Sequence, residues 1–192
     1  VVEVRNPVTG RVWMDRNMGA RRAANSITDS RAFGDLYQWG RWRDGHEDRS
    51  SSTTATTSSS DRPEHKNFIR SNDDPKDWRI PQNDSLWQGI NGINNPCPSR
   101  FRLPTEEEWE EERQSWSSND AEGAFDSVLK LPKAGVRRNS HIALFSPSTV
   151  SGFYWSSTVS DKEARNLYFH ESGSAMSSNP RAFSGSVRCI KN

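Results

Sequence analysis

The chain is poor in aliphatic residues. Hydrophobic residues of every kind make up 31% of its 192 positions, so aliphatic side chains alone would build only a thin core. No apolar run approaches the roughly 18 residues that a membrane-spanning helix requires, which excludes that architecture for this segment. Charge of one sign is lacking too: 26 Lys and Arg against 25 Asp and Glu leave a formal net charge of +1. A dedicated nucleic-acid surface is therefore not expected. No signal-peptide pattern opens the chain, and because it begins at Val1, a processed chain and a piece of a longer protein both stay open as readings.

Cysteine is scarce, with two residues, Cys97 and Cys189. A disulfide-dense scaffold is excluded, and so is a structural zinc site, since no His stands at ligand spacing beside either. The pair reads either as one disulfide closing a loop of about 90 residues or as two buried thiols. What the chain does have is aromatic residues, with eight Trp and eight Phe. Each ring hides a large area, so these must supply much of the core. The fold class expected is α+β, a single domain over residues 1–192 with long irregular loops.

In chain order, Val1 to Met18 reads as a hairpin around the turn Asn6-Pro7-Val8-Thr9-Gly10. Phe33, Leu36, Tyr37 and Gly40 fall at helical spacing, predicting a first helix from Ser30, as N-cap, to near Gly45. Residues 50–61 are Ser/Thr-rich and read as a mobile loop with nothing to bury. Thr105 and Glu108 form a capping box, predicting a second helix to about Trp116. The glutamates from Glu106 to Glu112 read as a solvated helix face, because a helix N-terminus favours negative charge. Arg137 to Val150 is expected as a loop.

The closing stretch, Ser151 to Asn192, is the most informative. In a strand, alternate side chains share a face, so Leu167 and Phe169 point one way and Asn166, Tyr168 and His170 the other. The first pair reads as core, the trio as a contact surface. Gly173, Ala175 and Ser177 keep the same beat, Phe183 is in phase with Gly185, and Ser186 to Ile190 reads as an apolar-alternating closing strand.

Four phrases, Thr9 to Asn17, Asn95 to Glu106, Tyr154 to Thr158 and Ser186 to Ile190, resemble the C-type lectin fold domains of the formylglycine-generating-enzyme-like branch. The likeness is nearest to the variable proteins diversified by retroelements in phages and bacteria, and it covers nearly the whole chain. It implies two helices and a small twisted antiparallel sheet, with residues 136–192 displaying variable side chains on a fixed backbone. Matched residue by residue, it points to Arg138, His141, Phe145, Ser146, Val150, Phe153, Asn166, Tyr168, His170, Gly173, Ala175, Ser177, Pro180, Phe183 and Gly185 as ligand-binding positions. All belong to the set that adenine mutagenesis of Asn-type codons reaches, which lacks Trp, Met, Lys, Gln and Glu. The sequence departs from the pattern at Ile142, Pro147 and Glu171, and at Arg100, where relatives usually carry Gly.

The resemblance implies receptor or surface recognition on a phage tail or a bacterial surface, by binding and not by catalysis. The expected partner is a protein or surface glycan, with a homo-oligomer left open; no cofactor or metal is expected, and neither nucleic acid nor membrane insertion. Aromatic residues among small Ser, Gly and Ala match the composition of adaptable binding surfaces. The alternatives are a static carbohydrate-binding domain and an oxidase of the formylglycine-generating type. The oxidase needs a close cysteine pair for copper, and no second Cys lies near Cys189. A calcium-dependent lectin is not expected because its loop phrases are missing, and a serine hydrolase lacks its Gly-x-Ser-x-Gly elbow.

Overall fold

A computed structural model describes residues 1–138 and 151–192, together with the main chain of His141 and Ile142. In chain order the strands and helices are β1 (Glu3–Arg5), β2 (Val12–Met14), β3 (Tyr37–Gln38), β4 (Thr53–Thr54), β5 (Phe68–Ile69), β6 (Phe101–Arg102), α1 (Glu106–Gln114), α2 (Ala121–Asp126), β7 (Arg137–Arg138), β8 (His141–Ile142), β9 (Gly152–Ser160), β10 (Glu163–His170), β11 (Gly173–Pro180), β12 (Ser184–Gly185) and β13 (Ile190–Lys191). The architecture is α+β. Three small antiparallel sheets run in the orders β1-β2-β13-β6, β11-β10-β9 and β3-β12-β7-β8, and β4 pairs β5 in parallel.

The N-terminal hairpin forms as its turn chemistry predicts, because Asn6 Oδ1 accepts from the main-chain N–H groups of Val8 and Thr9. β13 then pairs with β2, which ties the two ends of the chain into one sheet. Helix α1 starts where the capping box places it, with the Thr105 hydroxyl accepting from Glu108 N and the Glu108 carboxylate accepting from Thr105 N.

The helix expected from Ser30 does not form. Asp29, not Ser30, caps a single 3-10 turn over Ser30–Ala32. Gly34 and Gly40 lie at φ +68° and +80°, outside the helical region, and Tyr37–Gln38 is drawn into a sheet with Ser184–Gly185. Long-range pairing overrides the local spacing. The second helix is instead α2, capped by Asp120, whose carboxylate accepts from Glu122 N and Gly123 N.

Two further expectations are corrected. The Ser/Thr-rich stretch 50–61 is tied to the body: Thr53–Thr54 pairs with Phe68–Ile69, and Ser58 bridges to Arg79 through Ser58 N to Trp78 O and Ile80 N to Ser58 O. Its main chain finds partners although its side chains bury little. The stretch Arg137 to Val150, expected as a loop, opens with the β7–β8 hairpin.

The three-stranded sheet is the middle layer. One face, carrying Tyr154, Leu167 and Phe169, packs on Trp109, Ala121 and Ala124 of the two helices. The other, carrying Phe153, Trp155 and Ala164, packs on Tyr37 of β3 and on Trp39 and Trp87 from the long loops. Six of the eight Trp are fully buried. Five of those donate their ring N–H to a main-chain carbonyl, so each indole fills core volume and also pins an irregular segment. Cys97 and Cys189 are bonded, with Cα atoms 5.9 Å apart, which decides between the two readings of the pair.

The closing strand is interrupted. Ser186 bridges Tyr154, and β13 resumes at Ile190. Between them Arg188 is buried, its guanidinium donating to Asn17 Oδ1 and to the carbonyls of Leu129 and Met14. The glutamate face is corrected as well, since Glu108 and Glu112 are buried. Glu108 receives two hydrogen bonds from Arg102, and Glu112 accepts from Asn6 Nδ2 at 2.6 Å.

Candidate functional site

The hairpin β10–β11 sets the candidate face. Its register places Tyr168 opposite Ala175, Asn166 opposite Ser177 and His170 opposite Gly173, so the five side chains other than Gly173 project to the face away from the helices. Leu167 and Phe169 are fully buried on the helix side, as the period-two pattern predicts. On the open side, Ala175 is exposed and Tyr168, His170, Gly173 and Ser177 are half-buried. The Tyr168 and His170 rings lie 5.5 Å apart, and the Tyr168 hydroxyl is 2.9 Å from Ser151 Oγ. Arg138 is exposed and stacks over the half-buried Phe183 ring at 5.5 Å.

Space distinguishes two of the glycines. A Cβ built at Gly173 would have His170 as its nearest neighbour, at 3.9 Å, which is ordinary contact. At Gly185 it would meet Phe153 Cδ1 at 2.4 Å, so a larger residue there forces the core to move.

The expected display set is therefore corrected at three positions. Phe153 is 1% exposed and packs edge-on against Trp155 in the core. Gly185 is buried beneath that same ring. Asn166 is fully buried, and its Oδ1 accepts from Asn179 Nδ2 at 2.9 Å. Phe153 and Asn166 have the correct strand phase, but Phe153 lies under Gly185 of β12 and Asn166 is held by its neighbour Asn179, while Gly185 belongs to the covering strand itself. Arg138, Tyr168, His170, Gly173, Ala175, Ser177, Pro180 and Phe183 all retain exposure. His141 is described by its main chain in β8 only, while Phe145, Ser146 and Val150 lie outside the described residues.

Comparison with family models, with curated proteins and with solved structures gave no match. The functional reading accordingly rests on the chain's own residues.

One cluster escaped the sequence reading. Asp44, His46 and Glu47 bring ligand-type atoms within 4.8 Å of one another. His46 Nε2 accepts from Gln38 N at 3.1 Å, which leaves the proton on Nδ1, facing Asp44 Oδ1 at 2.8 Å. Asp44 Oδ2 accepts from Arg41 Nε, and Glu47 Oε2 accepts from Gly45 N. Burial holds the His46 imidazole in its neutral form, lowering its pKa. Each of these atoms already has a partner, and the network anchors the strand β3. Its contacts join residues no more than eight apart, so the closeness of the three residues in sequence was a visible signal.

Among the described residues the open depressions include three, of which the first borders the display face at Ala175 and the other two lie away from it. One, between α1 and β11, has a volume of about 730 Å³ and is lined by Glu107, Glu110, Arg113, Asn119 and Met176 among others. A second, of about 430 Å³, is lined by Arg21, Arg31, Asp35 and Arg49 among others. The third lies beside the turn of the N-terminal hairpin, between Val8 and Gln114.

Proposed function

We propose that this chain is a ligand-binding protein that displays diversified side chains on a fixed C-type lectin scaffold, for receptor or surface recognition by a phage virion or a bacterial cell. The observation that carries the reading is the outer face of β10–β11. Tyr168 and His170 stand there among Gly173, Ala175 and Ser177, with core residues alternating between them. A rigid sheet lets such positions change without unfolding, because the alternate residues hold the layer beneath. Aromatic side chains supply contact area at low entropic cost, and the small residues leave room for a partner.

Other features support the proposal. Two helices flank small antiparallel sheets, in keeping with the lectin-fold resemblance, and the disulfide suits an oxidising exterior. Both cysteines of the chain are used in that bond, which leaves no thiol pair to serve as the copper ligands of a formylglycine-generating oxidase.

The test is to sequence the coding locus and its flanks across isolates. A neighbouring reverse transcriptase with a near-copy of the final segment, which carries adenines where the codons of Tyr168, His170, Gly173, Ala175 and Ser177 differ from it, is the expected result. An invariant gene without such a neighbour would reduce the chain to a static domain with one fixed ligand.

A further inference from the structure

We infer that the free edge of β11 is a second docking surface, one that takes an extended, lysine- or arginine-bearing segment of a protein partner by strand addition. The inference does not depend on the display face being diversified.

β11 is an edge strand, paired with β10 on one side and, among the described residues, with no strand on the other. Its register identifies which main-chain groups face outward. Pro180 lies opposite Glu163, and proline has no N–H to share, so that pair is of the non-hydrogen-bonded kind. Counting back by twos, Ser178, Met176 and Ser174 turn their N–H and C=O groups away from β10. An independent contact agrees, since Ser174 O accepts from Asn119 Nδ2 on the outer side.

Edge strands are normally blunted by charge, by shortness or by proline. This one runs eight residues, Gly173–Pro180, with no charged side chain and its single proline at the far end, and of the outward main-chain groups of Ser174, Met176 and Ser178 only Ser174 O has a partner among the described residues, in Asn119. Main-chain groups in such a row bind an added strand through the ladder itself, while flanking surfaces select its side chains.

The flank is the groove between α1 and β11. Its helical wall carries Glu106, Glu107, Glu110 and Glu111 against Arg113. Glu106 is paired with Arg165, Glu110 with Arg113 and Glu111 with Arg11. Glu107 is exposed and, among the described residues, has no cation of its own. An added strand places alternate side chains against this wall, and a basic residue there meets the uncompensated carboxylate. Pairing β11 with a second copy would instead bring two acidic helices together, so the charge selects a basic partner over self-association.

The experiment uses two blocked octapeptides as probes, one of alternating lysine and valine and one of alternating glutamate and valine, titrated against the whole chain by amide NMR. The expected result is that the lysine peptide shifts the amides of Ser174, Met176 and Ser178, and the glutamate peptide does not. Ser178→Pro, which removes one outward N–H from the edge, weakens the lysine peptide about tenfold, the net loss of roughly one hydrogen bond. Glu107→Lys exchanges the preference between the peptides. The triple variant Tyr168→Ala, His170→Ala, Phe183→Ala leaves these shifts intact, so failure of the display reading and failure of this one are told apart. Shifts absent from the three edge amides, or equal for both peptides, would overturn the inference. So would concentration-dependent dimerisation in sedimentation that Ser178→Pro abolishes, because the occupant would then be a second copy.

Discussion

Two residues hold conformations or charges that the fold imposes on them. Arg100 lies at φ +72°, where a side chain crowds its own main chain and glycine does not. Arg100→Gly is expected to raise stability by about 1 kcal/mol, since the strain relieved exceeds the entropy that glycine adds to the unfolded chain; chemical denaturation measures it, and a loss would mean that the arginine has a contact worth more than its strain. Asp35 is the second. Burial, reinforced by the nearby Glu47 carboxylate, pushes its pKa up to about 6. Gly19 approaches so closely that a Cβ there would stand 2.1 Å from Asp35 Oδ2, which explains the poor hydration. A carboxyl whose folded pKa lies above its unfolded value stabilises the fold below the unfolded pKa, and that contribution disappears as pH rises through the folded pKa. Asp35→Asn is thus expected to raise the melting temperature at pH 7.5, by about 2–4 °C for each kcal/mol relieved, and to change it little at pH 4. An equal effect at both pH values would show that the carboxyl's charge is not the cause.

Strand β10 is the element on which the site depends, and its two faces make opposite predictions. Leu167 is fully buried against Tyr154, Trp109 and the helices. Leu167→Ala is expected to cost about 3 kcal/mol, the transfer loss plus the cavity it leaves. Tyr168 is half-buried, with its hydroxyl on Ser151, and Tyr168→Ala is expected to cost about 1 kcal/mol or less. Paired melts of the two variants settle the phase; equal losses would mean that both faces are core. The phase was legible in the sequence because alternation is a property of the strand itself. What alternation does not carry is what packs over each position, and so Phe153, correctly phased, is buried against Tyr37 of β3 and Gly185 of β12, and Asn166, also correctly phased, is buried beside Asn179. The helix expected over residues 30–45 failed for a related reason: spacing reports local preference, and Tyr37–Gln38 pairs with residues almost 150 positions away.

At the scale of the whole molecule, a thin aliphatic content is offset by tryptophans that bridge layers, and one covalent link closes the chain. The Cys97–Cys189 bond joins the β13 end to the segment before β6 across a separation of 92 residues. Replacing both cysteines by Ala is expected to lower stability by about 4 kcal/mol, chiefly by freeing the unfolded chain. Thermal melts of the double variant against the wild type measure this, and a change under about 1 kcal/mol would mean that the aromatic layers hold the segment without the bond.

The sequence by itself determined what is local: the turn at Asn6, the capping box at Thr105, the two-residue beat of β10, and the need for aromatic burial. These follow from side chains acting on their own main chain or from the periodicity of one element. Tertiary structure alone decided which charged groups go inside, as with Arg188, Glu108 and Glu112, whose burial depends on donors and acceptors from distant segments, Asn17, Arg11 and Asn6 in turn. It alone decided which correctly phased positions stay open to a partner, because exposure is a property of what packs on a face and not of the strand that carries it.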